Sequence, residues 1–120
     1  MILIPVEADG KTINKGFRKA PMFVFVDKKS GIVVQENHFK KEKSALFFDN
    51  FKKYSVDMLY VKGLGYKTYQ KLHALGIKVF LIPEDITLYT HIDPNELIVL
   101  NDDNAQMYCT MGHHNKKETT

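Results

Sequence analysis

The 120-residue sequence contains no tryptophan and only one cysteine, Cys109. A single cysteine excludes a disulfide within the chain, and we therefore expect a reducing compartment, namely the cytoplasm. No apolar run approaches the roughly 20 residues that a membrane-spanning helix needs, so we expect no membrane association. The first residues, Met1 to Val6, lack the basic flank and the cleavage site of a signal peptide, and we interpret them as a buried strand.

The excess of positive charge is small, because 17 lysines and arginines stand against 14 aspartates and glutamates. The resulting net charge of +3 favours an anionic ligand but is too weak to indicate nucleic acid. The basic residues are not interleaved with exposed aromatic residues either, so we expect no nucleic-acid binding. What the chain does have is 44% hydrophobic residues, enough for one domain with a substantial core.

The pattern of apolar residues predicts five strands and two helices. We expect strands at residues 2–6, 22–26, 32–34, 57–61 and 77–82, and helices at 44–54 and 66–75. The short turn before the third strand contains Gly31, which indicates an antiparallel hairpin. The two helical crossovers indicate parallel pairing. The predicted fold is α/β, with helices packed on a mixed five-stranded sheet of order 3-2-1-4-5 in which strand 2 is antiparallel to the others.

The pattern after Pro83 leaves two alternatives open. The run Asp93-Pro94-Asn95-Glu96 has the cap, the proline and the glutamate of a helix start. The following run, residues 97–100, is β-branched and equally typical of a strand. From Asn101 onward the chain becomes polar. We therefore predict a single domain over residues 1–100 and a flexible C-terminal tail over residues 101–120.

Three segments of the chain resemble a known family. They are the first strand continued by Glu7-Ala8-Asp9-Gly10, the run Phe17-Arg18-Lys19-Ala20-Pro21-Met22-Phe23, and the run Val61-Lys62-Gly63-Leu64-Gly65 continued to Val79. They are similar to an apolar-Pro-Val start, a His-Phe-Gly-Arg-Ala-Pro-x-Phe signature and a Gly-Gly-x-Gly helix start. These are features of the dinitrogenase iron–molybdenum cofactor biosynthesis family, which the chain resembles over most of residues 1–82.

The resemblance implies both a fold and a function. The family comprises small standalone domains, carriers of the nitrogenase cofactor and a domain of the cofactor-assembly radical enzyme. The resemblance implies a ribonuclease H-like fold, an iron–sulfur or molybdenum-containing cluster as ligand, and cofactor-assembly proteins as partners. The chain departs from the signature in one respect that matters. The family's histidine, a possible cluster ligand, falls at Gly16, and its glycine falls at Arg18.

The first candidate site lies in the loops after the first and fourth strands. If these strands are adjacent and parallel, both loops emerge at one carboxyl edge, where open α/β sheets bind ligands. Glycines allow backbone amides to approach a ligand, and a helix N-terminus attracts anions. The alternative is a solvated basic loop with glycines needed only for a tight turn. The cofactor-binding residues that we predict here are Arg18, Lys19, Gly63, Gly65, Tyr66 and Lys67.

The second candidate site lies in the C-terminal tail, where five potential metal ligands fall within eight positions. Thiolate and thioether groups suit Cu(I) or a sulfide cluster, and imidazoles could complete the ligand shell. The alternative is that the methionines pack on the sheet and the histidines lie in solvent. The candidate metal ligands are Met107, Cys109, Met111, His113 and His114.

A catalytic function is the least supported interpretation. The chain has no Ser/His/Asp constellation and no phosphate-binding loop, and its carboxylates are not expected to converge. We therefore expect a protein that is not an enzyme. The favoured function is a binding or carrier protein for a metal–sulfur cluster or its precursor. The alternative is a small-anion or protein-interaction module that has kept the fold and lost the cluster site.

Overall fold

The computed structural model describes residues 1–109. Its strands are β1 (Ile2–Val6), β2 (Met22–Asp27), β3 (Gly31–Glu36), β4 (Met58–Val61), β5 (Lys78–Leu81) and β6 (Ile98–Val99). Its helices are α1 (Ser44–Phe51), α2 (Tyr66–Ala74) and α3 (Ala105–Tyr108), and 3-10 turns lie at Lys52–Tyr54, Tyr89–His91 and Pro94–Glu96. None of the helices within these residues is long and apolar enough to span a membrane.

The strands form one mixed sheet of order β3-β2-β1-β4-β5-β6. Strand β1 is antiparallel to β2 and parallel to β4, and β4 is parallel to β5. These pairings confirm the predicted mixed sheet, the order 3-2-1-4-5 and the reversed direction of strand 2. The hairpin of β2 and β3 is also confirmed, and Gly31 stands in it with a φ of 80° that favours glycine.

The predicted number of strands was wrong, because the sheet has six. The sixth strand, Ile98–Val99, pairs antiparallel with Phe80 and Leu81 on the outer edge of β5. Two β-branched residues are enough here because that edge offers backbone groups that need partners. The segment before it forms a 3-10 turn at Pro94–Glu96, in which the Asp93 side chain accepts a hydrogen bond from the Asn95 amide. After Pro83 the chain therefore forms both a short helical turn, at Pro94–Glu96, and a short strand, at Ile98–Val99.

The sheet is covered differently on its two sides. On one side, Leu3 and Phe23 pack with Phe47 and Phe51 of α1 and with Leu72 of α2. On the other side, the residues that alternate with them along the strands are covered by the segment at 83–97. This second cluster comprises Ile4, Val6, Ile13, Val24, Tyr60 and Ile82, with Ile86, Tyr89, Ile92 and Leu97 partly buried against it.

The first nine residues of the predicted tail pack against the helical side of the domain. Ala105 and Cys109, four residues apart around helix α3, are both buried in the core. The Tyr69 hydroxyl donates a hydrogen bond of 3.1 Å to the Asp102 carboxylate, which ties this segment to α2. The segment at 101–109 therefore belongs structurally with the domain. The rest of the predicted tail lies outside the described residues.

Candidate anion-binding site

The loops that follow β1 and β4 border an open cavity at one edge of the sheet. Because β1 and β4 are adjacent and parallel, with Ile2 level with Met58, both loops leave the sheet at the same end. The cavity between them has a volume of about 360 Å³. Its lining residues are Lys15, Gly16, Phe17, Arg18, Lys19, Gly63, Leu64, Gly65 and Thr68.

Four of the six predicted cofactor-binding residues meet in this cavity, namely Arg18, Lys19, Gly63 and Gly65. Tyr66 and Lys67 are not among its lining residues. The Tyr66 ring stacks instead on Tyr69 of the same helix, at 6.1 Å between ring centroids, and Lys67 is exposed. Thr68, the next residue along the helix, lines the cavity instead. It was not predicted, because which residues of α2 face the cavity depends on how the helix is rotated about its axis.

The two glycines contribute access rather than unusual backbone geometry. Gly65 is the cap of α2 with φ −73° and ψ 148°, an extended conformation that any residue adopts. The tight-turn explanation for Gly65 is therefore wrong. A Cβ atom at Gly65 would lie 3.9 Å from the Thr68 hydroxyl, and one at Gly63 would lie 3.6 Å from the Lys15 carbonyl oxygen. Both are ordinary van der Waals distances, so a Cβ would fit at either position. The two glycines line the cavity with backbone alone, beside the first-turn amides of α2, which have no partner within the helix and can donate to an anion.

Phe17 holds the basic loop, the segment between β1 and β2 that carries Lys15, Arg18 and Lys19, against the core. Its ring is buried and lies 5.5 Å from the Phe47 ring and 5.4 Å from the Phe51 ring, edge-on to both. Gly16, on one side of Phe17, donates its backbone N–H to the Asn14 side chain at 2.8 Å. One buried aromatic ring thus holds the loop in place while its two neighbours, Gly16 and Arg18, line the cavity.

No carboxylate in the chain up to Cys109 neutralises the cations of the cavity. Among the residues that the structure describes, neither Lys15, Arg18 nor Lys19 forms an ion pair. The Arg18 guanidinium carbon lies 5.9 Å from the centroid of the Phe47 ring, a cation–π contact that leaves the guanidinium without an anionic partner. Lys62 is different, because its ammonium group donates to the Glu84 carbonyl oxygen at 3.1 Å. The cavity therefore presents three cations to an incoming anion.

Sequence reasoning also missed Asn37, the buried polar side chain that positions the basic loop. It is 2% exposed, and its Nδ2 donates to the carbonyl oxygens of Arg18 and Ala20 at 2.8 and 2.9 Å. Its Oδ1 accepts a hydrogen bond of 3.0 Å from the Phe39 amide. The polar atoms of this side chain are thus satisfied by backbone groups of two loops. A lone Asn after a strand gives no local signal of such contacts.

The candidate metal ligands of the tail are only partly within the described residues. Cys109 is 7% exposed in the core, and burial raises the pKa of its thiol, whereas the Met107 residue is 75% exposed. These two residues therefore face different environments. Met111, His113 and His114 lie outside the described residues. In the part of the chain up to Cys109, no three His, Cys, Asp or Glu side chains lie close enough together to hold a metal ion.

Comparison with known proteins gives a family and several similar structures. The sequence model described as dinitrogenase iron–molybdenum cofactor matches residues 1–93. No curated protein matches the chain. Among solved structures, the protein PH0822 is 28% identical, with a TM-score of 0.55, and the match covers 65% of this chain and 72% of that one.

Two further structures are similar. The apo form of the orange protein from Desulfovibrio gigas is 27% identical, with a TM-score of 0.58 and coverage of 72% of this chain and 78% of that one. A Thermotoga protein, provisionally described as a NifB protein of the DUF35 family, is 22% identical with a TM-score of 0.54. That match covers 68% of this chain and 75% of the Thermotoga chain, and at this identity it shows a shared fold alone.

Proposed function

Because the chain belongs to the dinitrogenase iron–molybdenum cofactor family, we propose that it is a non-enzymatic carrier of an anionic metal–sulfur cluster or cluster precursor during metallocofactor assembly. One observation carries this proposal. The cavity between the loops after β1 and β4 combines the open N-terminus of α2 with three cations that have no carboxylate partner among residues 1–109. Its volume of about 360 Å³ lies within the usual range of ligand sites, roughly 300–1,000 Å³.

The chemistry of the cavity suits capture of a preformed anion. Lysine and arginine supply charge, and backbone N–H groups at a helix start donate hydrogen bonds to sulfide or oxygen atoms of the cargo. Gly16 lines the cavity at the position where the family signature has its histidine, so this loop offers no imidazole ligand. We therefore expect binding through charge and hydrogen bonds, which makes the affinity sensitive to salt.

The cargo that we propose contains molybdenum or iron with sulfide, in a reducing compartment and in exchange with cofactor-assembly proteins. A ribonuclease H-like classification of the fold belongs to the same proposal. Cu(I) bound by the tail ligands is a separate hypothesis, because the two of those ligands that lie within the described residues, Met107 and Cys109, do not line the cavity.

A second candidate function is favoured by Gly16 itself. A module that had lost the cluster ligand would keep the cavity cations and would bind small anions, or another protein, without a metal requirement. Sulfate and phosphate distinguish the two functions, because a small-anion module binds them as well as it binds a thiometallate.

Anaerobic titration of the untagged chain with tetrathiomolybdate, alone and with copper, tests the proposal. We expect a saturable change in the visible absorption of the thiometallate, little competition by sulfate, and loss of binding in the triple variant Lys15→Gln, Arg18→Gln and Lys19→Gln. The matched control is Lys28→Gln, Lys29→Gln and Lys53→Gln, which removes the same charge from exposed positions outside the cavity. If the control loses as much affinity as the cavity variant, the cavity is not the binding site and the carrier proposal fails. If sulfate competes equally, a cluster carrier is excluded in favour of the second candidate.

A further inference from the structure

A second basic concavity adjoins the cavity and shares two of its residues. It has a volume of about 560 Å³ and is lined by Arg18, Lys19, Lys40, Lys41, Glu42, Lys43 and Ser44. Arg18 and Lys19 line both concavities. We define the basic surface as six residues, Lys15, Arg18, Lys19, Lys40, Lys41 and Lys43. Of the described residues that line either concavity, Glu42 is the one carboxylate.

This surface holds more positive charge than the whole chain. Its six cations, counted together with the neighbouring carboxylate of Glu42, give a formal charge of +5. The chain has 17 basic and 14 acidic residues, so the remaining 11 basic and 13 acidic residues give −2. The modest net charge of +3 is therefore unevenly distributed, with the positive charge concentrated on this surface. A concentrated field of this kind steers an oppositely charged partner toward one face of a protein.

The two parts of the surface are held together rather than merely close in sequence. The buried Asn37 side chain bonds to the carbonyl oxygens of Arg18 and Ala20 and to the Phe39 amide. It thereby fixes the loop of Arg18 and Lys19 against the segment that leads into Lys40 and Lys41. The six cations therefore form one surface whose loops are already held in place. Binding of a partner then costs little conformational entropy in these loops.

The start of α1 lies at this surface and breaks a local rule of helix stability. Its cap residue is Lys43, which makes no side-chain capping bond, and its first turn contains no acidic residue. Helix N-termini favour negative side chains, so a lysine at the cap opposes the helix dipole. Departures of this kind are expected where a functional surface requires the residue. An external carboxylate would both pair with Lys43 and accept hydrogen bonds from the free amides of the first turn.

We propose that the basic surface is the docking site for an acidic segment of a partner protein, which delivers cargo to the adjoining cavity or receives it. The docking rests on the charges and contacts above, and its role in delivery rests on the proposed function. A protein segment fits better than nucleic acid. Within the described part of the chain, Phe17 is the one aromatic residue that lines the two concavities, and its ring is buried, which leaves no ring there for base stacking.

The experiment measures fluorescence anisotropy of a labelled peptide of ten glutamates, with a decaglutamine peptide as the neutral probe. We expect the wild-type chain to bind decaglutamate, to ignore decaglutamine and to lose affinity as salt rises. The variant Lys40→Glu, Lys41→Glu and Lys43→Glu should weaken binding about tenfold or more, as charge reversal at a complementary interface does. The matched control, Lys28→Glu, Lys29→Glu and Lys53→Glu, changes net charge equally and should weaken binding less than about threefold.

Several results would overturn docking. One is equal weakening by both triple variants, which would show a net-charge effect. Another is tighter binding of a single-stranded oligonucleotide of ten nucleotides than of decaglutamate, which would indicate a nucleic-acid surface. Tetrathiomolybdate separates this proposal from the carrier function. Reversal at Lys40, Lys41 and Lys43 should weaken peptide binding by the same factor of about tenfold or more while leaving thiometallate binding intact. Failure of the carrier function, in contrast, removes thiometallate binding from the wild-type chain and leaves peptide binding unchanged.

Discussion

The Asn37 side chain donates a hydrogen bond of 2.8 Å to the carbonyl oxygen of Arg18, 19 residues before it in the chain. The same amide nitrogen bonds to Ala20 at 2.9 Å, so one buried group supports the loop that carries two cavity cations. The cations themselves are exposed or half-buried and cannot fix that loop by packing. The geometry of the candidate site therefore depends on a residue that does not line it.

Replacement of Asn37 by alanine should lower the free energy of unfolding by about 1–3 kcal/mol, because one buried and one partly buried carbonyl oxygen and one amide lose their partner. Asn37→Asp should cost at least as much, since a carboxylate would face two carbonyl oxygens. Urea denaturation measures both changes. The control is the exposed Asn95→Ala, which should change stability by no more than about 0.5 kcal/mol. Equal midpoints for Asn37→Ala and wild type would show that the loops are held by other contacts.

Replacement of Lys43 by aspartate should stabilise the isolated chain by about 1 kcal/mol, because aspartate caps the free amides of α1 and complements its dipole. The matched variant is Lys53→Asp, which places the same charge change in the 3-10 turn that follows the C-terminal end of α1 and should destabilise it. Thermal unfolding by circular dichroism compares the two. Stabilisation by both variants would indicate relief of general repulsion among lysines instead of a capping effect.

Removal of residues 111–120 tests the tail as a site for Cu(I). The shortened chain keeps Cys109 in the core and loses Met111, His113 and His114. If these ligands hold the metal, the shortened chain binds Cu(I) more weakly in competition with a chromophoric chelator. Affinity of the intact chain should then also fall below about pH 6.5, as the imidazoles become protonated. Because burial raises the pKa of the Cys109 thiol, Cys109→Ser should have the smaller effect. Unchanged affinity after the deletion would leave the tail without a role in binding.

Stability should decline at alkaline pH because of Tyr69. Burial, and then the hydrogen bond to Asp102, raise the pKa of this phenol from 10.0 to about 12. Since the folded state has the higher pKa, this contribution is fully present below pH 10 and is lost as the pH rises from about 10 to 12. Urea unfolding at pH 9 and at pH 11 should show a fall that is smaller in Tyr69→Phe. An identical fall in the variant would assign the loss to other groups.

The order of the first five strands and the position of the cavity could be predicted from the sequence. Short-range rules were sufficient there. The turn containing Gly31 indicates a hairpin, the two helices indicate parallel crossovers, and adjacent parallel strands end at one edge. Arg18 and Gly63 consequently had to emerge near each other. The family signatures lie in the same two loops and added the class of ligand.

Other features depended on contacts between residues far apart in the chain. A strand as short as Ile98–Val99 is too short to show an alternation of apolar and polar residues. It forms because the edge of β5 supplies hydrogen-bonding partners. The segment around Cys109 is polar enough to suggest a tail, yet apolar contacts of Ala105 and Cys109 hold it in the core. The union of Lys40, Lys41 and Lys43 with Arg18 and Lys19 required the buried amide of Asn37. Periodicity, caps and turns are local and were determined by the sequence alone, whereas burial of single residues and the merging of charges into one surface were decided only when the chain folded.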